Sequence, residues 1–306
     1  MKLTQRRTGR RGASARRVRV ALALTVSAAA LLCAASKSAR AQEPFVGEWT
    51  IEFERGFDDV RLTLYSHSGV SGNGSSSLIL PSSKLQGLTA GRPSAERTRV
   101  VFRLTREAGT FAFEGYVEGG RGAGRWRLTP DPNFVAEMRR LGYDNLYDHQ
   151  LLVAAIYDLN KGYVVGLRDA GYERVPPDQL IGARMFGVSL DFVKEVRSLG
   201  VRGVSLDKLT SMRMFSITPA FIRELAAQGY EQLTADELID VRMNNVTPEF
   251  IAGLREQGYD DVPLNDLLRM RMFQVDGAFI ARLRKRGFKD LTVDQLMGLR
   301  FKYVGM

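Results

Sequence analysis

The chain has 306 residues, one cysteine and a formal net charge of +10, from 44 Lys and Arg against 34 Asp and Glu. Residues 1–41 hold ten of the basic residues and no acid, so the remainder balances at 34 against 34. A neutral body offers no field for a phosphate backbone, which excludes a nucleic-acid partner as the reading of the basic total.

The first 41 residues read as a secretory signal peptide. A basic stretch precedes an apolar run from Val20 to about Ala35, and Ala39-Arg40-Ala41 offers a small-residue cleavage site before Gln42. The run is Ala-rich and shorter than the ~20 residues a spanning helix needs. Cleavage is therefore expected, with retention as an anchor the alternative. The protein is expected to be exported, periplasmic or extracellular, with no membrane span after cleavage. Arg16-Arg17 raises the twin-arginine route beside the general one. Cys33 is in the leader, and Leu32 stands before it where a lipoprotein site needs a small residue. A mature chain without cysteine has no disulfide and relies on packing.

Residues 43–129 change character to Gly/Ser stretches and alternating β-formers. The period of two predicts strands at Phe45–Phe53, Val60–Tyr65, Ser77–Leu80, Arg99–Arg106, Thr110–Glu118 and Arg125–Thr129. Gly119 to Gly124 reads as the turn between the last two. A small antiparallel β domain follows, a partial barrel or curled sheet, since the segment is short for eight strands. Gly47-Glu48-Trp49 resembles the G-x-W opening of lipocalin-like barrels.

From Asp131 to about residue 304 the chain repeats with a period of 29. Gly142, Gly171, Gly200, Gly229, Gly258 and Gly287 keep that spacing, as do six aromatics from Phe134 to Phe279 and six leucines from Leu151 to Leu296. Units start at 131, 160, 189, 218, 247 and 276. Each predicts two short helices. The openers Asp131, Asn160, Ser189, Thr218, Thr247 and Asp276 suit an N-cap. Pro132, Pro219 and Pro248 suit the first helical position. The glycine suits a left-handed C′ residue, with the aromatic after it at C″; Val201 is the exception to that aromatic. Second helices begin near Ser205, Thr234 or Thr292, with acids in the first turn and arginines at the end. Helices of nine or ten residues are marginal alone. The expected fold is α+β, the β domain followed by an α-solenoid of six two-helix repeats. The first unit departs from the rule: Ala155 stands where later units have arginine, and His149 and Tyr157 are nearby.

The chemistry-bearing motifs are sparse. The glycine run precedes a strand, whereas a phosphate loop precedes a helix and ends in Lys-Ser/Thr. His67 and His149 lie in different segments, and no H-E-x-x-H or G-x-S-x-G occurs. No catalytic residue, metal site or cofactor is therefore assigned. Two sets are candidate site residues. Arg184, Arg213, Arg242, Arg271 and Arg300 form a column that reads either as a structural ladder, capping helix ends or pairing with acids, or as an interaction surface for an anionic envelope ligand or acidic protein tail. The neighbouring Met185, Phe186, Met214, Phe215, Met272 and Phe273 read as core unless exposed together, when they form a binding surface. Trp49, His67 and Trp126 would line a pocket in the β domain.

The order of β segment, T-P-x-P-x-F-V junction and repeats resembles a group of exported bacterial proteins. They look like the extracytoplasmic regions attached to sensor-transducer zinc peptidases of the β-lactam-sensing type. Gly122-Ala123-Gly124, Pro132-Asn133-Phe134-Val135, Gly229-Tyr230 and Thr247-Pro248-Glu249-Phe250-Ile251 carry the likeness. The peptidase part is absent, so the resemblance implies an interaction or sensing module and transfers no catalysis. The first expectation is an exported non-enzymatic module that binds a protein or peptide through its repeat surface. The alternative is an envelope enzyme or lipocalin-like small-ligand binder with its pocket in the β domain. A purely structural envelope protein is the third.

Overall fold

The computed structural model describes residues 45–54, 58–66, 74–88 and 96–302. The expected leader and His67 lie outside these residues. The described chain is α+β: six strands and then twelve helices.

The strands are β1 (Phe45–Phe53), β2 (Asp59–Ser66), β3 (Gly74–Pro81), β4 (Thr98–Arg106), β5 (Gly109–Glu118) and β6 (Arg121–Pro130). They form one antiparallel sheet in the order β3-β2-β1-β6-β5-β4, which stays open, with β3 and β4 at its edges. Gln86, five residues after β3, is bridged to Arg103 of the opposite edge strand, with both backbone hydrogen bonds made. In a flat sheet the outer strands would lie about 24 Å apart. Five residues span at most about 17 Å. The sheet must therefore bend so that its edges approach.

The glycine run is a shorter turn than the sequence suggests. Only Gly119 and Gly120 turn, both at positive φ, and residues 121–124 already belong to β6. Two residues of that conformation match the twist of a hairpin. Further along β6, missing Cβ atoms make room. A Cβ on Gly124 would strike the Glu114 carbonyl, and one on Gly115, its partner in β5, would strike the Trp49 ring. The inner face is aromatic: Trp49 lies edge-on to Phe102 at 5.1 Å, and Phe111 edge-on to Trp126 at 5.7 Å.

The helices are α1 (Pro132–Arg140), α2 (Asp148–Ile156), α3 (Lys161–Asp169), α4 (Pro177–Met185), α5 (Leu190–Ser198), α6 (Leu206–Met214), α7 (Pro219–Ala227), α8 (Ala235–Met243), α9 (Pro248–Arg255), α10 (Leu264–Met272), α11 (Gly277–Lys285) and α12 (Val293–Lys302). Asp131, Asn160, Ser189, Thr218, Thr247 and Asp276 each accept a first-turn N–H, as N-caps do. In α7 the Tyr230 N–H reaches the Leu225 carbonyl at 3.1 Å and the Gly229 N–H reaches that of Ala226 at 2.8 Å. That pair of bonds is the Schellman ending. Gly229 has φ +82°, and the other five spaced glycines are also left-handed.

Most of the helices pack on the helix two places along the chain. α1 meets α3, α3 meets α5, α5 meets α7 and α9 meets α11; α2 meets α4, α4 meets α6, α6 meets α8 and α10 meets α12. The buried residues follow the period: Phe134, Tyr163, Phe192, Phe221, Phe250 and Phe279 from odd helices, and Leu151 to Leu296 from even ones.

The first helices close on the sheet. α2 packs on β6, Arg106 at the end of β4 forms an ion pair with Asp158 at 3.0 Å, and the Glu107 carboxylate accepts the Lys161 N–H at 2.9 Å. That carboxylate sits at the start of α3, where the helix dipole favours it. Ala155 is buried here. Counted by the period, an arginine at 155 would reach for the carbonyl of residue 128. Leu128 is in β6, paired with both β1 and β5, so no helix end exists there for it to cap.

Candidate interaction surface

Arg184, Arg213, Arg242, Arg271 and Arg300 occupy the last turns of α4, α6, α8, α10 and α12. All are half-buried. Each guanidinium lies over the aromatic that opens its own unit: Arg184 over Tyr163 at 5.0 Å, Arg213 over Phe192 at 5.2 Å, Arg242 over Phe221 at 5.0 Å, Arg271 over Phe250 at 5.3 Å and Arg300 over Phe279 at 5.3 Å. Three also donate Nε–H to the carbonyl ending the even helix before: Arg184 to Tyr157 at 3.2 Å, Arg242 to Phe215 at 3.2 Å and Arg300 to Phe273 at 3.1 Å. The guanidinium thus lies over a ring while donating from a planar fork that an ammonium lacks.

A second arginine column escaped the sequence reading. Arg168, Arg197, Arg255 and Arg284, near the ends of odd helices, donate to the closing carbonyls Leu141, Ala170, Gln228 and Gln257 of the odd helix before. The sequence signal was the same spacing of 29, interrupted at Ala226. The tyrosine after the glycine reaches the other way. Tyr172, Tyr230 and Tyr259 donate their hydroxyls to the carbonyls of Val204, Val262 and Leu291 at 3.0, 2.7 and 2.6 Å. Arginines thus reach back one unit while tyrosines reach forward.

Next to the first column stands an exposed apolar one. Met185, Met214, Met243, Met272 and Phe301 are spaced by 29 and are 43, 53, 61, 63 and 60% exposed. Phe186 is exposed beside Met185, while Phe215 and Phe273 are half-buried. Four of the six Met and Phe side chains named as either core or surface, Met185, Phe186, Met214 and Met272, are therefore exposed.

At the first junction a groove of about 690 Å³ is lined by Tyr143, Asp144, Arg168, Glu173, Arg174 and Val175, among others. Arg168 stands at 6.0 Å over the Tyr143 ring, and burial raises the Tyr143 hydroxyl above its ordinary pKa.

In the sheet, Trp49 and Trp126 are buried and their N–H groups are spent on backbone carbonyls. Trp49 Nε1 donates to Glu114 and Arg125 at 3.2 and 3.1 Å, and Trp126 Nε1 to Tyr65 at 3.2 Å. His149 stacks on Tyr147 at 5.9 Å in the first unit. Among the described residues no group of His, Cys, Asp and Glu is placed to hold a metal ion, and no helix is long and apolar enough to cross a membrane.

Compared with protein-family models and with curated proteins, the chain matches none.

Proposed function

We propose that the chain is an exported, non-enzymatic interaction module that binds a protein or peptide through its helical repeats, read as a six-unit α-solenoid. The exposed column Met185, Met214, Met243, Met272 and Phe301 carries this reading. Unbranched thioethers adapt to varied partners, and exposed apolar residues recurring at one repeat position mark a candidate contact surface. Packed helices lie about 8–10 Å apart, so successive column members should recur at about that interval. A polyproline II segment repeats its face every three residues, about 9.3 Å. The partner that fits is an extended peptide with an apolar side chain at every third position.

The arginines beside the column hold their own repeats together, which supports the structural ladder for them and leaves the methionines as the contact surface. The packing of Trp49 and Trp126 gives no support to the small-ligand reading in the β domain. The test is affinity capture from envelope extract with the full chain and with a Met214→Glu/Met243→Glu/Met272→Glu variant of unchanged circular dichroism. A partner held by the first and lost by the second is expected. A partner retained by the variant, or none captured by either, would overturn the reading.

A further inference from the structure

One repeat junction is built differently from its neighbours. Where Tyr172 faces Arg197, the guanidinium lies 4.6 Å over the ring and the hydroxyl meets the Val204 carbonyl. Tyr230 and Tyr259 meet Val262 and Leu291 in the same way. At the junction between, the corresponding residues are Val201 and Ala226, so ring and guanidinium are lost together. The backbone compensates: the Arg202 N–H donates to the Leu233 carbonyl at 3.3 Å, the Ala235 N–H donates to the Arg202 carbonyl at 2.9 Å, and Arg202 Nε–H donates to Gln232 at 3.0 Å. These bonds hold the two units in register but fill no space.

The space remains as a partly open hollow of about 160 Å³, with Val201, Ala226, Leu233 and Leu238 and the more polar Tyr230 and Glu231 among its walls. An apolar cavity of about 150 Å³ is large enough to bind benzene. Leu233 corresponds, one period on, to Val204, the acceptor of the Tyr172 hydroxyl. Its carbonyl has a second lone pair beyond the one that Arg202 uses. We propose that this hollow is a binding site for a single phenolic ring, which restores the ring and hydroxyl that the other junctions carry in their own tyrosines. The inference does not depend on the methionine column.

The probe is p-cresol, the side chain of tyrosine as a free molecule, added to the full chain and followed by saturation-transfer NMR. Transfer to p-cresol is expected for the wild type and is expected to vanish in Val201→Tyr, which supplies the ring covalently. Ala226→Leu fills the hollow from the opposite wall and should act alike, so the test survives if one variant fails to fold. Toluene should show weaker transfer, since it has no hydroxyl for Leu233. No transfer with the wild type, or transfer that persists in a folded variant, would overturn the proposal.

Discussion

Tyr163 is the one residue of its column with a hydroxyl; the units beginning at 189, 218, 247 and 276 place Phe192, Phe221, Phe250 and Phe279 there. That hydroxyl is buried with no hydrogen-bond partner among the described residues, and burial pushes its pKa up to about 12. A buried donor left unsatisfied costs free energy that a phenyl ring avoids. Tyr163→Phe is therefore expected to stabilise the chain by about 1 kcal/mol, read from the denaturant midpoint. Because the folded pKa is raised, the neutral form's advantage is complete below pH 10 and is lost as pH rises through about 12. Stability should therefore fall across that window in the wild type and less steeply in Tyr163→Phe. Arg242 makes the opposite case, since its guanidinium both stacks on Phe221 and donates to the Phe215 carbonyl. Arg242→Lys keeps the charge and loses that fork, and about 1–2 kcal/mol of stability should go with it.

Each helix ends on a repeated chemical device. Thr234 opens α8 with a capping box: its hydroxyl accepts the Glu237 N–H at 3.1 Å, and the Glu237 carboxylate accepts the Thr234 N–H at 2.7 Å. The Thr234 N–H first, and its hydroxyl second, hold the Glu237 carboxyl below its ordinary pKa. The stabilisation is present at neutral pH and is lost as pH falls through that lowered value. Thr234→Ala is expected to cost about 1 kcal/mol at pH 7 and less in acid, by chemical denaturation at both pH values. At the other end, Gly229 sits at φ +82°. A Cβ in that conformation costs about 1–2 kcal/mol, the loss expected for Gly229→Ala in the same assay. Even helices end the same way at positions spaced by 29, once on Gly187 and otherwise on larger residues: Asp158, Ser216, Asn245 and Gln274 are all at positive φ. Because these residues are not glycine, their shared left-handed role was hidden in the sequence, although Asn and Asp tolerate it.

At the scale of the molecule, most helices meet helices two places along the chain, while the sheet joins its first strand to its last. Under the proposed solenoid, stability is a sum over units and their neighbours. Excising residues 247–275 would then join two like junctions, with Tyr230 meeting Arg284 in place of Arg255, and leave a folded chain with proportionally less helix signal and a smaller denaturant slope. A cooperative globule would unfold instead, a difference that circular dichroism and urea melts separate. The sheet should behave in the second manner. Trp49 is buried among Phe102 and Phe113 with its N–H shared between two strands. Trp49→Ala is therefore expected to cost about 3–5 kcal/mol and to unfold the sheet as a unit.

Local chemistry could be read directly from the residues. N-caps such as Ser189, C′ glycines such as Gly229 and alternating runs such as Phe111 to Phe113 carry their conformation in their own side chains, or in the lack of one. The strands stand where the period of two placed them, within a few residues at each end. Which side chains meet across units was not legible in this way. Arg242 finds the Phe215 carbonyl, and Val201 faces Ala226, only once the helices are stacked and turned. Likewise the methionines became an exposed column because α4, α6, α8, α10 and α12 bury their leucines and leave the methionines near their ends in water. Apolar patterning states that a residue prefers burial, but there are more apolar side chains than buried positions. Packing decides which of them are left in water.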